Sequence, residues 1–586
     1  DRIFLIVPEQ QAVAWERRCA AELEPAANLR LEVLTFTRLF NRTAREYGGF
    51  FTNIAGKASL RLLMWAALNS VRGNLSYYSS VRTEKLVPSL MQTVKELHTY
   101  RVTPAVLESA ARELAEDGDR AASLLSDKLS DLSVIFSAYE ELLHSSFSDS
   151  DDMPEHTAKA VSEHLFFAGA DVYIDSFYSF TPAQLDMIRA AMRDAENVTV
   201  TIPCLPEEKD APHLSHIREN FMKLSRIAEE YGGAEIERLV ENHRASCRRL
   251  AVLEENLWNN SAAVSDAKDA RDAQSLRIVG CADRYSEACA AAARVSELVH
   301  LGERYGSIAV IARSADTLSG ITDTVFAAKG IPLYTSRRGR LSDSPAATLV
   351  MSALRAVSLG YRREDIIAIT KTGLLPLDTE ACCLFEKYAE TWRLRGRHAF
   401  LDDEDWCMNP NGYGAARTDS AAAALEAVNT VRRTLARPLS AFSEVFSGGI
   451  AASRDVATAL YRLLCDLDIP AGAASLAARL RSLGFETQAA ESLRMWDALM
   501  QALDTLAQTI PDAAGDAESF TFMMAQIIGA TDVGTIPTGI DVVNFGSADM
   551  LRLDDVRHVI VLGAVEGEFP ASATDGGILS ESERIM

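Results

Sequence analysis

Two rhythms of apolar and polar positions alternate along the chain. Arg2 to Val7 (RIFLIV) is a short apolar run that predicts a buried strand, followed by Pro8-Glu9-Gln10 and a helix from about Ala12 to Leu23. Leu29 to Phe36 (LRLEVLTF) predicts a second strand and Thr37 to Tyr47 a second helix. Strand and helix in alternation predict a parallel α/β sheet. From about Ala55 the rhythm becomes helical. Leu86, Leu90, Val94 and Leu97 recur at helix spacing, as do Leu129, Leu132, Phe136, Tyr139 and Leu143. Strands return at Asp171 to Ile174 and at Asn197 to Pro203 (NVTVTIP). The pattern therefore predicts an all-helical insertion of roughly 110 residues inside an α/β core.

The second half repeats this plan. Asp266 to Ser275 is polar and alanine-rich, as a linker is, and Ser275 to Gly280 (SLRIVG) opens a second α/β unit. A helix is predicted over Arg284 to Gly302, with Glu287, Arg294 and Glu297 on its exposed side. Strands are predicted at Ser307 to Ala312, ending at Arg313, and at Ile331 to Tyr334. Helical spacing dominates from about Ser344 to Ala530, and strands return at Gly539 to Phe545 and Val556 to Leu562. The fold class expected is α/β, with two parallel-sheet cores, each interrupted by a large all-helical insertion. The expected divisions are 1–54 with 166–265 for the first core, 55–165 for its insertion, 275–343 with 531–586 for the second core, and 344–530 for its insertion.

Composition adds bounds. A chain of 586 residues predicts roughly three to four domains, and 48% hydrophobic with 24% charged residues is ordinary for globular protein. No apolar run reaches the length of a membrane span, and no signal peptide is read, so a cytoplasmic location is expected. The chain does not begin with Met and reads as a piece of a longer protein. None of its nine cysteines forms a C-x-x-C pair, which predicts structural thiols and no metal site. The net charge of −23 speaks against a general coat of nucleic acid but leaves room for a local basic groove.

Asp171 to Gln184 (DVYIDSFYSFTPAQ) carries the most chemistry. Asp175 ends an apolar strand, as the Mg²⁺-holding carboxylate does in P-loop NTPases, and Thr181-Pro182 predicts a helix start. Ser176 stands where a helicase carries a catalytic Glu. An N-cap or loop hydrogen bond is the plainer role for Asp175, and it is weighed above the metal role. A phosphate-cradling G-x-x-x-x-G-K-[ST] is absent; Gly56-Lys57-Ala58 is the nearest approach. Arginines group at Arg17-Arg18, Arg248-Arg249, Arg337-Arg338-Arg340, Arg362-Arg363 and Arg393-Arg395-Arg397, most of them read as solvated faces. Arg337 to Arg340, in a loop with Gly339 after a predicted strand, is the favoured phosphate-binding group.

Three stretches together resemble the AddB family, the B-type subunits of the bacterial ATP-dependent helicase/deoxyribonuclease. They are Leu5 to Gln10 (LIVPEQ) with Val33 to Leu39, Val172 to Pro182, and Gly539 to Pro570 (with VVNFGSADMLRL and VIVLGAVEGEFP). Asp365 to Leu375 and Phe385 to Gly396 look like the family's second helical insertion. The resemblance implies two RecA-like cores of superfamily 1 helicase type without a working motor. It implies an AddA-like helicase/nuclease partner, single-stranded and duplex DNA as ligands, a role in recombinational repair, and possible reading of a Chi-like sequence. Ser176 after Asp175, and Leu551 to Asp554 with Arg552 and Asp554, stand as degenerate helicase motifs. The family implies ATP, Mg²⁺ and a 4Fe–4S cluster for the full-length protein, and none is expected within this chain. Gln10, Phe36, Arg38 and Phe177 match the DNA-reading surface, while Ala12 and Asn41 depart from it. Arg313, Arg337, Arg338 and Arg340 are expected to supply phosphate contacts from the second core. The alternatives are an active helicase whose phosphate loop was trimmed away, and an interaction protein without DNA contact. For Phe36 and Phe177 the competing role is ordinary core packing.

Overall fold

The computed structural model describes residues 2–47, 55–116, 119–147, 153–204, 214–241, 243, 247–257, 275–335, 339–533, 541–549, 551, 556–571 and 577–585. The protein is α/β and mostly helical, with two four-stranded parallel sheets. It forms two compact units. One comprises Asp1–Thr52, Ser150–Ser336 and Gly539–Ala573 and holds both sheets. The other comprises Asn53–Asp149, Arg337–Thr538 and Thr574–Met586.

In the first sheet β1 (Arg2–Ile6), β2 (Leu31–Leu34), β3 (Ala170–Ile174) and β4 (Asn197–Val200) lie in the order β2-β1-β3-β4. The register pairs Leu5 with Val33 and with Tyr173, and Tyr173 with Thr199. Strands buried on both faces carry continuous apolar runs, and β1 does so. Phe4 and Ile6 enter a core with Phe166, Phe167, Val172 and Ile188, whereas Leu5 and Val7 meet Ala12, Trp15 and Cys19 of α1 (Ala12–Glu22). After α2 (Pro25–Asn28) and β2, α3 (Phe36–Tyr47) buries Phe36, Leu39, Phe40, Thr43 and Ala44, a stripe at helix spacing.

In the second sheet β5 (Ile308–Ala312), β6 (Leu333–Thr335), β9 (Val543–Ser547) and β10 (His558–Leu562) lie in the order β10-β5-β9-β6. Ile308, Val310, Phe545 and Leu562 pack against Ala292 and Val295 of the helix Arg284–His300. Glu287, expected on the open side of that helix, instead accepts a hydrogen bond from the Gly563 N–H at 2.7 Å. Ser275 to Gly280 does not open this sheet as expected. It is neither helix nor strand, and Ile278 is 94% exposed. Its apolar run is β-competent, but strand identity requires a partner ladder, and none pairs with it among the described residues.

The helices within 57–146, and those between β6 and β9, pack into one hydrophobic core. Leu62, Met64 and Leu68 of α4 (Lys57–Val71) share it with Leu349 and Ala353 of Pro345–Ser358 and Phe520 and Met524 of Ala517–Ala530. Buried Ser59 accepts a hydrogen bond from Thr509 at 3.0 Å within it. Two-residue strands β7 (Ala451–Ala452) and β8 (Ala514–Gly515) pair antiparallel at its margin. No helix of the described residues is long and apolar enough to cross a membrane.

Candidate nucleic-acid interface

Ligands of parallel sheets bind beyond the carboxyl ends of the strands. At this edge of the first sheet stand the turn after β1, the start of α3 after β2, and the loop after β3. The Thr35 hydroxyl donates to Glu9 Oε1 at 2.7 Å and accepts from the Arg38 N–H at 3.1 Å. One threonine thus caps α3 and ties it to the turn that carries exposed Gln10. Arg38 is exposed and pairs with Glu16 at 2.5 Å, a contact that solvent screens.

Phe36 is 5% exposed and belongs to the core. Its ring lies 5.2 Å from Phe177, edge to face, and Phe177 in turn lies 5.3 Å from Phe180. Phe177 is half-buried, with one part of its ring packed and the rest at the surface. Asn220 of α10 (Ser215–Glu229) holds this loop from behind: its Oδ1 accepts from the Phe180 N–H at 3.4 Å and its Nδ2 donates to the Tyr178 carbonyl at 3.2 Å. Tyr178, which sequence patterning does not single out, is exposed beside Phe177. Helix α9 (Pro182–Asp194) closes the loop with a Thr181–Gln184 capping box and Pro182 in its first turn, as the Thr-Pro pair predicts.

Both carboxylate oxygens of Asp175 accept hydrogen bonds from neighbours. Its Oδ1 accepts from the Thr201 hydroxyl at 2.5 Å and its Oδ2 from the Ser176 hydroxyl at 2.8 Å, while its N–H donates to the Ile6 carbonyl at 3.0 Å. Ser176 adopts a left-handed backbone, φ +67°, so the strand turns sharply there. Both hydroxyls thus direct their protons at the carboxylate. No group of three metal-ligating side chains occurs among the described residues. Below Asp175, on the face opposite Phe4 and Val172, an apolar groove of about 370 Å³ is lined by Ile3, Leu5, Trp15, Tyr173, Thr199 and Thr201.

The remaining candidates lie elsewhere. Arg313 is exposed just after β5. Arg340 belongs to the helical unit, where it forms an antiparallel bridge with Asp532, next to a 2.6 Å hydrogen bond from the Val533 N–H to the Gly339 carbonyl. Arg337, Arg338, Arg552 and Asp554 lie outside the described residues. Gly56 and Lys57 form the ordinary start of α4.

Residues 1–254 match the family described as ADDB, N-terminal. The chain is similar to the B-type subunit of the ATP-dependent helicase/deoxyribonuclease of Acetivibrio thermocellus, 28% identical over 595 residues that cover 100% of the chain and 51% of the relative. The corresponding protein of Desulforudis audaxviator is 28% identical over 603 residues (99% and 51%), and that of Clostridium novyi 24% over 599 (100% and 50%). The chain spans about half the length of the curated relatives it matches.

Proposed function

We propose that this chain, a homologue of the AddB family, is the helicase-shaped, DNA-guiding half of an AddB-type helicase/deoxyribonuclease subunit. The two parallel sheets are taken as paired RecA-like cores, 1–54 with 166–265 and 275–343 with 531–586. Segments 55–165 and 344–530 are taken as their insertions. In this reading a single DNA strand crosses the carboxyl edge of the first sheet and meets Gln10, Arg38 and the open part of Phe177. Phe36 acts behind Phe177 as a positioning residue. Arg313, Arg337, Arg338 and Arg340 supply phosphate contacts from the second core and its border. An AddA-like partner supplies the motor for recombinational repair of double-strand breaks, and neither an ATPase nor a nuclease centre is assigned to this chain.

The observation that carries the reading is the Asp175–Ser176 turn. A motor of this class needs a carboxylate after the metal-holding Asp to position the attacking water. Here Ser176 stands in that place, and its hydroxyl donates to Asp175. The purified chain is expected to bind labelled single strands while hydrolysing no ATP. DNA-stimulated turnover of about 1 s⁻¹ or more that disappears in Asp175→Ala would overturn the non-motor assignment. Phe177→Ala is expected to weaken single-strand binding by about 1–3 kcal/mol. Arg338→Ala is expected mainly to lower the salt slope, by up to about 0.7. A parent-like Phe177→Ala variant would return Phe177 to a packing role alone.

A further inference from the structure

Two arginine-bearing turns, distant in sequence, meet in the helical unit. Tyr361-Arg362-Arg363 opens the helix Arg363–Thr370, and Arg393 to Arg397 joins the helices Thr379–Thr391 and Arg397–Leu401. The Gly396 N–H donates to the Tyr361 carbonyl at 3.1 Å, which sets the turns side by side. Arg362, Arg393 and Arg395 are exposed, and no carboxylate lies within ion-pair distance of them among the described residues. Arg397 donates to the neutral hydroxyls of Ser440 and Ser443 at 3.3 and 3.4 Å, which leaves its charge uncompensated. Among the acidic groups nearby, Glu364 pairs with Arg363 at 3.2 Å and also feels the Arg362 charge, Asp402 pairs with His398, and Glu390 is exposed one turn before Arg393. The cluster is positive in a chain of net charge −23.

An exposed aromatic residue lies on a loop that packs against the end of the helix Thr379–Thr391. The loop after Asn409 (Asn411-Gly412-Tyr413-Gly414) is pinned from both ends. Asn409 Nδ2 donates to the carbonyls of Ala415 and Ala416 at 3.0 and 3.1 Å, and Trp392 Nε1 donates to the Asn409 carbonyl at 3.1 Å. A side chain at Gly412 would come within 3.6 Å of Thr391, so the loop lies against the helix end that runs into Arg393. At its tip Tyr413 is 98% exposed between Gly412 (φ +98°) and Gly414 (φ +76°). Packing gives no reason for a tyrosine held out in this way.

We infer that Arg362, Arg393, Arg395, Arg397 and Tyr413 form a second single-stranded nucleic-acid contact, with the guanidinium groups on phosphates and the ring stacked on a base. This rests on the DNA-guiding reading proposed above. An acidic protein surface would use the arginines but not an isolated ring. The test is fluorescence anisotropy of the whole chain with a labelled oligo-dT strand at several salt concentrations. The double variant Arg393→Ala/Arg395→Ala is expected to lower the salt slope by about 1.4, for two lost single-strand phosphate contacts. Tyr413→Ala is expected to weaken binding roughly ten-fold with the slope unchanged. All these side chains are exposed, so unchanged thermal unfolding should accompany both effects. If both variants bind like the parent while Phe177→Ala does not, this second contact is wrong and the DNA-guiding reading stands. If the parent binds no oligo-dT at low salt, both fail. If polyglutamate of equal charge displaces the strand as well as unlabelled oligo-dT does, and Tyr413→Ala has no effect, the patch serves an acidic protein and the inference is overturned.

Discussion

Lys128 offers a direct test of how the chain after the second sheet is anchored in the helical unit. Lys128 lies on α7 (Arg120–Ser146), is 8% exposed, and donates to both oxygens of Glu583 at 2.9 Å. Glu583 also accepts from the Ser580 N–H at 2.7 Å and its hydroxyl at 3.0 Å, which caps the short helix Glu581–Ile585. Removing one partner of a fully buried pair costs about 3–5 kcal/mol. The Glu583 side chain is 25% exposed and would keep its Ser580 bonds in Lys128→Met, so about 2–3 kcal/mol is expected for local opening. Hydrogen exchange of the peptide spanning 577–585 should accelerate roughly 30- to 150-fold. The pH dependence has a definite sign. Burial raises the Glu583 pKa, but the hydrogen bond from Lys128, the two from Ser580 and the ammonium charge outweigh it, so the carboxyl titrates below its usual value. Protection in the parent should therefore be complete above the unfolded carboxylate value, about 4.3, and fade as pH falls through the depressed value. In Lys128→Met much of that dependence should vanish. Glu96→Gln, which removes the more exposed pair with Arg584, should cost only about 0.5 kcal/mol. Exchange in Lys128→Met within about two-fold of the parent would refute the anchoring role.

Other outcomes follow from single positions. Gly472 lies in the helix Ile469–Ser482, and a Cβ there would sit 1.8 Å from the Leu374 carbonyl oxygen and 2.6 Å from its carbon. Because backbone must move, Gly472→Ala should destabilise the helical unit by about 3 kcal/mol or more, and an unshifted calorimetric profile would contradict the close approach. Asp405 is held down to about 2, first by the hydrogen bond from Arg433 and then by Arg432. Its pairing should be intact above about pH 4 and lost as pH falls towards 2, and an NMR titration midpoint near the ordinary Asp value would rule this out.

Much of the α/β framework is legible in sequence because its strands are apolar runs shorter than a helix needs. β1, β2, β4, β5 and β10 all fall within their expected spans, and β3, β6 and β9 overlap theirs. The start of α9 is legible for a local reason: a Thr hydroxyl, a Pro and a Gln three residues on satisfy the first turn without help from the rest of the fold. The carboxyl edge of the first sheet is legible in part. Asp175 and the Phe177 loop stand where the strand end predicts, but nothing local tells that Phe36 faces inward and Phe177 only half outward, since α3 begins at Phe36 itself.

By itself the sequence determines the periodicities, hence which segments are strands and which are amphipathic helices, together with the caps and turns that close on near neighbours. Only the tertiary structure decides which apolar segments find a ladder, as Leu276 to Gly280 shows by joining no strand among the described residues. It also decides that two helical stretches far apart in the chain share one core, and that the turn carrying Arg362 is bonded to the turn carrying Arg395. Periodicity records only that a side chain will be covered. What covers it depends on loop closure across hundreds of residues, which is set by the packing of the whole chain.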